Sequence, residues 1–194
     1  MLLPGGWALR HLYDWFGLNV ALFHLINGAH APWWDRCMVT VSWLGSSWCF
    51  PLYLAMLLLL AYVAPSSVPR RNVLVFAVGF ALTWAAVAVL KPLFGLPRPV
   101  LALGPNAVVL VGSPALHASF PSGHAAFVTL LAASCSVRVV RPFKWGLWLF
   151  AGAVFVSRIS VGAHFPADVV GGAIVGLGGA SLAGLLVRAV SARR

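Results

Sequence analysis

Glutamate is missing from this 194-residue chain, and aspartate occurs three times, as Asp14, Asp35 and Asp168. A centre holding two divalent metals through clustered carboxylates is therefore excluded, and no metal ligand set is assigned. Charge of either sign is sparse, at 8% of residues against roughly 25% in a soluble domain, which excludes a soluble globular protein. Cysteine is scarce too: Cys37, Cys49 and Cys135 show no CxxC spacing, so no zinc site is implied. Cys49 and Cys135 lie in or beside apolar runs and read as buried free thiols. What is present is hydrophobic, with 61% apolar residues, 9 Trp, 12 Phe and a mean hydropathy of +0.95. Such a chain is not disordered, and its solvent is the bilayer. A net charge of +10 and a pI near 11.1 would suit nucleic acid, but the cations are scattered between apolar runs and form no stripe, so no nucleic-acid partner is expected.

Apolar stretches long enough to span occur at about 41–64, 71–90, 122–139, 145–163 and 166–187. A sixth, about 11–29, carries Asp14, Asn19, His24 and Asn27. It either spans with these polar groups turned inward or lies at the interface, and a span is preferred. The fold class expected is thus an all-α integral membrane protein of about six transmembrane helices. Residues 1–194 form one membrane domain, with residues 1–40 an N-terminal span or interfacial region. The N-terminus lacks a clear signal peptide and reads as part of the mature protein. Trp33 and Trp34 in HAPWWDR suit an interfacial anchor or a packed loop.

Threading these spans places Arg70, Arg71, Arg138, Arg141, Lys144, Arg188, Arg193 and Arg194 on one side, together with Arg10, and the positive-inside rule makes that side cytoplasmic. The last span has Gly172 and Gly176 at GxxxG spacing, which permits close helix approach within or between chains, so the oligomeric state is open.

Polar groups at the opposite ends of the spans are the functional candidates. In KPLFGLPRP, Lys91 and Arg98 flank a turn and can face one anion, as a point charge and a bidentate fork. In PSGHAAF, Ser122 suits an N-cap, Gly123 allows close backbone approach, and His124 enters the first turn of a helix whose N-terminus attracts anions. In SRISVGAHFPAD, Arg158 adds another fork, and Pro166 starts a helix that brings Asp168 within reach of His164. A carboxylate on one imidazole nitrogen fixes the tautomer and leaves the other as nucleophile or base. Each cluster alone has an ordinary structural explanation. Together, two His, one Asp, three cations and a Ser-Gly helix start on one membrane face suit phosphoryl transfer, in which one His attacks phosphorus and the other protonates the leaving oxygen.

The pattern K-x6-R-P, P-S-G-H and S-R-x5-H-x3-D, read at Lys91–Pro99, Pro121–His124 and Ser157–Asp168, resembles the three-part signature of the type 2 phosphatidic acid phosphatase superfamily. The resemblance covers about 70–190, the expected phosphatase core. It implies a six-span helical core with the active site at the extracytoplasmic helix ends and cofactor-free hydrolysis of a phosphate ester through a phosphohistidine. On that basis His164 is the nucleophile, Asp168 orients it, and His124 is the general acid, while Lys91, Arg98, Ser122, Gly123 and Arg158 hold the phosphoryl oxygens.

A site at the headgroup level suits a lipid phosphate with its tail in the bilayer. The family's substrates include phosphatidic acid, phosphatidylglycerol phosphate, undecaprenyl diphosphate, sphingolipid phosphates and lipid A phosphates. The motifs do not choose among them. A bias of 11 Arg to 2 Lys, with abundant Ala, Gly and Val, fits a GC-rich bacterium and its inner membrane, which favours undecaprenyl diphosphate or a glycerophospholipid phosphate. The apolar stretch 100–119 is either a lid or a packed connector, and His117 within it is left as an ordinary polar residue. A lipid phosphotransferase would share every motif residue. An anion transporter would need a polar path that these spans lack, and vanadate-dependent oxidation by a similar site suits a membrane setting poorly.

Overall fold

The computed structural model describes residues 13–65, 67–112 and 116–193. Arg10, Arg194, the first two residues of the 11–29 candidate span and residues 113–115 of the 100–119 connection lie outside them. All regular structure among the described residues is helical, without a strand: α1 (Leu18–Asn27), α2 (Pro32–Leu44), α3 (Phe50–Val63), α4 (Arg70–Phe94), α5 (Pro99–Leu103), α6 (Gly123–Cys135), α7 (Arg141–Ser160) and α8 (Pro166–Ser191). Local chemistry sets most boundaries. Proline occupies the first turn of α2, α3, α5, α7 and α8, where its missing N–H costs no helical bond. At the other end of α4, Gly95 takes the left-handed conformation that stops the helix, with φ 55°.

The centre is a triad of α4, α6 and α8. Ala125–Ala132 of α6 are all buried, so this short helix is enclosed by its neighbours. Phe76 of α4 and Phe127 and Leu130 of α6 anchor the main apolar core. Close approach of α8 to α6 depends on the GxxxG pair: a Cβ at Gly172 would lie 2.3 Å from the Ser122 carbonyl oxygen, and one at Gly176 2.3 Å from that of Ala126. The small-residue face therefore packs within the chain. Backbone cannot yield as a flexible side chain does, so Gly176→Leu should destabilise the protein by about 2 kcal/mol or more. Gly178→Ala, where a Cβ meets nothing within 4 Å, should be neutral. Thermal unfolding of both variants in detergent checks the pair, and equal midpoints would remove the argument.

Arg70–Leu103 and Pro166–Ser191 are long and apolar enough to cross a membrane, and Pro32–Leu44 with Ser47–Val63 forms a third candidate bent by 52°. The uninterrupted stretch expected over 41–64 is thus corrected to parts of two helices that meet at this bend. Gly45 and Ser46 interrupt it, and Gly45 lies where a Cβ would meet the Val154 side chain at 2.6 Å, so the break brings α2 onto α7. HAPWWDR is the first turn of α2, with Trp33 exposed and Trp34 donating its indole N–H to Ser160 Oγ at 3.1 Å. Cys49 and Cys135 are buried free thiols as expected, and Cys37 is an exposed one.

Candidate active site

The C-terminal ends of α4 and α7 meet the N-terminal ends of α6 and α8, which brings the three sequence clusters together. Lys91, Arg98, Gly123, His124, Arg158 and His164 all line one cavity of about 330 Å³. Its remaining wall is mainly apolar: Phe80, Trp84, Val87 and Ala88 of α4 with Phe127 of α6, plus Thr83 and Ser47. Thr83, Val87 and Lys91 are spaced four apart, so one face of α4 runs from the cation about 12 Å down into the apolar interior.

Two of the three cations are held by backbone carbonyls. Lys91 Nζ donates to the Ala118 carbonyl at 2.6 Å, and Arg98 Nη1 donates to that of Ala163 at 3.3 Å. Arg158 donates to Ser42 Oγ, while its buried Nε has no partner. The Arg158 carbonyl accepts from the N–H groups of both Ala163 and His164 at 3.2 Å, tying the guanidinium's helix to the histidine turn. Ser122 is fully buried and caps α6 by accepting from Ala125 N–H. Its own N–H donates to the Asp168 carbonyl at 2.9 Å, joining the starts of α6 and α8.

His164 is 2% exposed, with Nδ1 3.4 Å from Asp168 Oδ2. Asp168 does not line the cavity. It sits fully buried behind His164 and accepts three further hydrogen bonds: from Tyr13 OH at 2.7 Å, Ser119 Oγ at 2.5 Å and Phe165 N–H at 2.9 Å. With Nδ1 against the carboxylate, Nε2 is the nitrogen left for the cavity. Burial pushes the His164 pKa down to about 4 and Asp168 opposes that shift, so the ring is neutral near pH 7. A neutral Nε2 carries a lone pair, which is what attack on phosphorus requires.

The electrostatics favour an anion. Among the described residues the carboxylate pairs are His164–Asp168 and His30–Asp35, so Lys91, Arg98 and Arg158 face the cavity with no carboxylate bound to them. Three converging cations and the N-terminus of α6 fit a tetrahedral oxyanion.

Tyr13, Ser119 and Ser42 were not anticipated from sequence. Tyr13 and Ser42 lie 155 and 116 residues from their partners, and no local pattern could have found them. Ser119, two residues before Pro121, carried the weak signal of a polar group between an apolar loop and a motif. His117 is exposed and contributes its carbonyl, which accepts from Arg98 Nε at 3.4 Å. The 100–119 connection is pinned where described: Asn27 exchanges hydrogen bonds with Val109 at 2.8 and 2.9 Å, and Val111 N–H donates to the Val161 carbonyl.

Comparison with known proteins agrees with this geometry. Residues 72–192 match the model of the PAP2 superfamily. The chain is 29% identical over 176 residues to a lipid A 4'-phosphatase of Bacteroides thetaiotaomicron, covering 82% of this chain and 72% of that one. It is also 29% identical over 164 residues to an undecaprenyl-diphosphatase of Sulfolobus acidocaldarius, covering 82% and 74%. The crystal structure of LpxE from Aquifex aeolicus superposes with a TM-score of 0.74 at 32% identity, over 86% of this chain and 94% of that one. A PAP2 type phosphatidylglycerolphosphate phosphatase from Bacillus subtilis shares the fold, with a TM-score of 0.70 at 22% identity over 96% and 90%.

Proposed function

The chain belongs to the PAP2 superfamily and is a membrane lipid phosphatase, and from that premise we propose that it hydrolyses a lipid phosphate monoester or diphosphate, without metal, through a phosphohistidine on His164. The observation that carries this reading is the composition of the cavity. Its cationic end holds two histidines, one backed by a carboxylate, and its other wall is an apolar slot. Lys91, Arg98 and Arg158, with the α6 N-terminus at Gly123, bind the phosphoryl oxygens and stabilise the charge that develops on them, while Ser122, buried outside the cavity lining with its N–H on the Asp168 carbonyl, caps that helix instead of contacting phosphate. His164 Nε2 attacks phosphorus, the bond to the leaving oxygen breaks, and His124 donates the proton that oxygen needs. Water then attacks the phosphoimidazole and gives a proton to His124, the P–N bond breaks, and inorganic phosphate leaves. Asp168 holds the Nδ1–H tautomer throughout and stabilises positive charge on the ring.

The slot along Phe80, Trp84 and Val87 supports a substrate with an apolar tail rather than a soluble ester. A six-span arrangement follows if α1, α6 and α7 each span beside the candidates above. The cations Arg70, Arg71, Arg138, Arg141, Lys144 and Arg188 at the opposite helix ends support an active site on the extracytoplasmic face of a bacterial inner membrane.

Purified protein should release phosphate in the presence of EDTA from at least one of phosphatidic acid, phosphatidylglycerol phosphate, undecaprenyl diphosphate or a lipid A phosphate. Quenching in alkaline detergent during turnover should trap a phosphoryl group on the chain that is stable in base and lost on acidification. Release abolished by the chelator, or steady turnover without the trapped group, would overturn the mechanism. The state of His164 has its own check: in ¹⁵N-histidine spectra of the free protein its ring should stay neutral down to about pH 5 and titrate near 4. A midpoint near the ordinary 6.5 would show that it is not the buried neutral imidazole.

A further inference from the structure

A second cavity, of about 360 Å³, lies at the other end of the same three helices. Its origin is a mismatch of lengths. The 13 residues of α6 span about 20 Å, whereas the 25 of α4 and 26 of α8 span about 38 Å. Because α6 and α8 start together at the active site, α6 ends about half way down α8, and the chain turns aside through Arg138, whose φ is 57°. The space left between α4 and α8 is lined by Arg71, Asn72, Ser134, Ser181 and Arg188, with Val75, Ala180 and Leu185 among its apolar wall.

Three observations point to an anion there. Ser134, 2% exposed, lines the cavity with a buried Oγ that has no hydrogen-bond partner. Arg71 makes one long hydrogen bond, to the Gly184 carbonyl at 3.4 Å, and neither Arg71 nor Arg188 pairs with a carboxylate among the described residues. All three aspartates sit at the active-site end: Asp168 at the start of α8, Asp14 beside Tyr13, and Asp35 in the first turn of α2 next to the Trp34–Ser160 bond. Asn72 meanwhile donates to the Val137 carbonyl at 2.7 Å, covering the oxygen that the end of α6 would otherwise present to an anion. Topology alone accounts for arginines at this end, but not for a cavity between them with an unpartnered hydroxyl on its wall.

We propose that this cavity binds the phosphate headgroup of an anionic lipid of the leaflet opposite the active site, with Arg71 and Arg188 on the phosphate, Ser134 donating to it and the apolar wall against the start of the acyl chains. The site is separate from the catalytic cavity and does not depend on the reaction assigned there.

Native mass spectrometry of the full chain in detergent, titrated with phosphatidylglycerol, phosphatidylcholine or inorganic phosphate, tests it. Phosphatidylglycerol is a diester, outside the substrate class proposed for the other cavity, and any binding there is common to all variants. Wild-type protein should retain phosphatidylglycerol over phosphatidylcholine, and Arg71→Gln/Arg188→Gln should bind it at least about tenfold more weakly. Retained phosphate release from a lipid substrate shows that the double variant is folded. If it is not, Ser134→Leu, which fills the cavity and keeps both arginines, must show the same loss. Equal retention of the two lipids, or unchanged affinity in the variants, overturns the proposal. So does inorganic phosphate that binds as tightly as phosphatidylglycerol and is lost in the double variant, which would assign the site to the free ion, since phosphate held in the catalytic cavity is common to all variants.

Discussion

His164→Ala should reduce phosphate release to the uncatalysed level in protein that remains folded, whereas His124→Ala should retain a measurable rate. The difference follows from what each ring supplies. Without the His164 imidazole there is no atom to form the P–N bond, and the water that would replace it is neither positioned nor activated. The truncation should leave the fold intact because Asp168 keeps Tyr13 OH, Ser119 Oγ and Phe165 N–H as donors. Loss of a general acid typically costs 10²–10⁴-fold, and the cost depends on the leaving group. An alkoxide leaving a lipid monoester needs its proton, so His124→Ala should sit at the severe end with phosphatidic acid. With p-nitrophenyl phosphate, whose leaving group is stable as an anion, the deficit should shrink by at least about tenfold, while that of His164→Ala stays complete. Turnover of both substrates by both variants reads the two roles separately. Equal deficits of the two variants on both substrates would remove the division of labour.

The parts of this site legible in sequence are those in which spacing itself is the chemistry. Asp168 lies one helical turn after His164 because Pro166 starts α8, and Ser122 caps α6 because a Ser-Gly pair precedes an apolar run; both relations are local and both hold. That Lys91 and Arg158 face one cavity was readable only through topology, from spans that alternate direction and so return each motif to the same end. The N-terminal third was read less well. Asn19 and Asn27 look costly in an apolar helix, yet both are buried and act across the bundle: Asn19 accepts from Ala167 N–H at the start of α8, and Asn27 donates to the Ser160 carbonyl at the end of α7. Hydropathy registers such residues only as a weak span, because their partners are 148 and 133 residues away. The break at Gly45–Ser46 was hidden for the opposite reason, since flanking Trp, Leu and Phe keep the window apolar through a bend of 52°.

The Asp168 network yields the other large effect, and it separates charge from geometry. Asp168→Asn should lower kcat by about 10³–10⁴-fold with little loss of stability, comparable to the analogous substitution in a serine-protease triad. The amide oxygen can keep the Oδ2 position, accepting from Ser119 Oγ and Phe165 N–H, while the NH₂ faces Tyr13, whose hydroxyl can rotate to accept. What disappears is the negative charge that holds the Nδ1–H tautomer and stabilises the positively charged ring formed on attack. Asp168→Ala should lose activity as severely and also lose about 3 kcal/mol or more of stability, because it leaves buried donors facing an apolar gap. Tyr13→Phe and Ser119→Ala each remove one donor and keep the carboxylate. They act only by positioning it, so each should reduce kcat by about tenfold with KM nearly unchanged. Each should also raise the His164 titration midpoint, because a carboxylate with fewer donors holds its negative charge less dispersed and favours the protonated ring more strongly. Steady-state kinetics, thermal unfolding and the ¹⁵N-histidine titration measured on the four variants resolve these outcomes. Wild-type kcat in Asp168→Asn would mean that the carboxylate is a strut for the α8 N-terminus and no part of the catalytic apparatus.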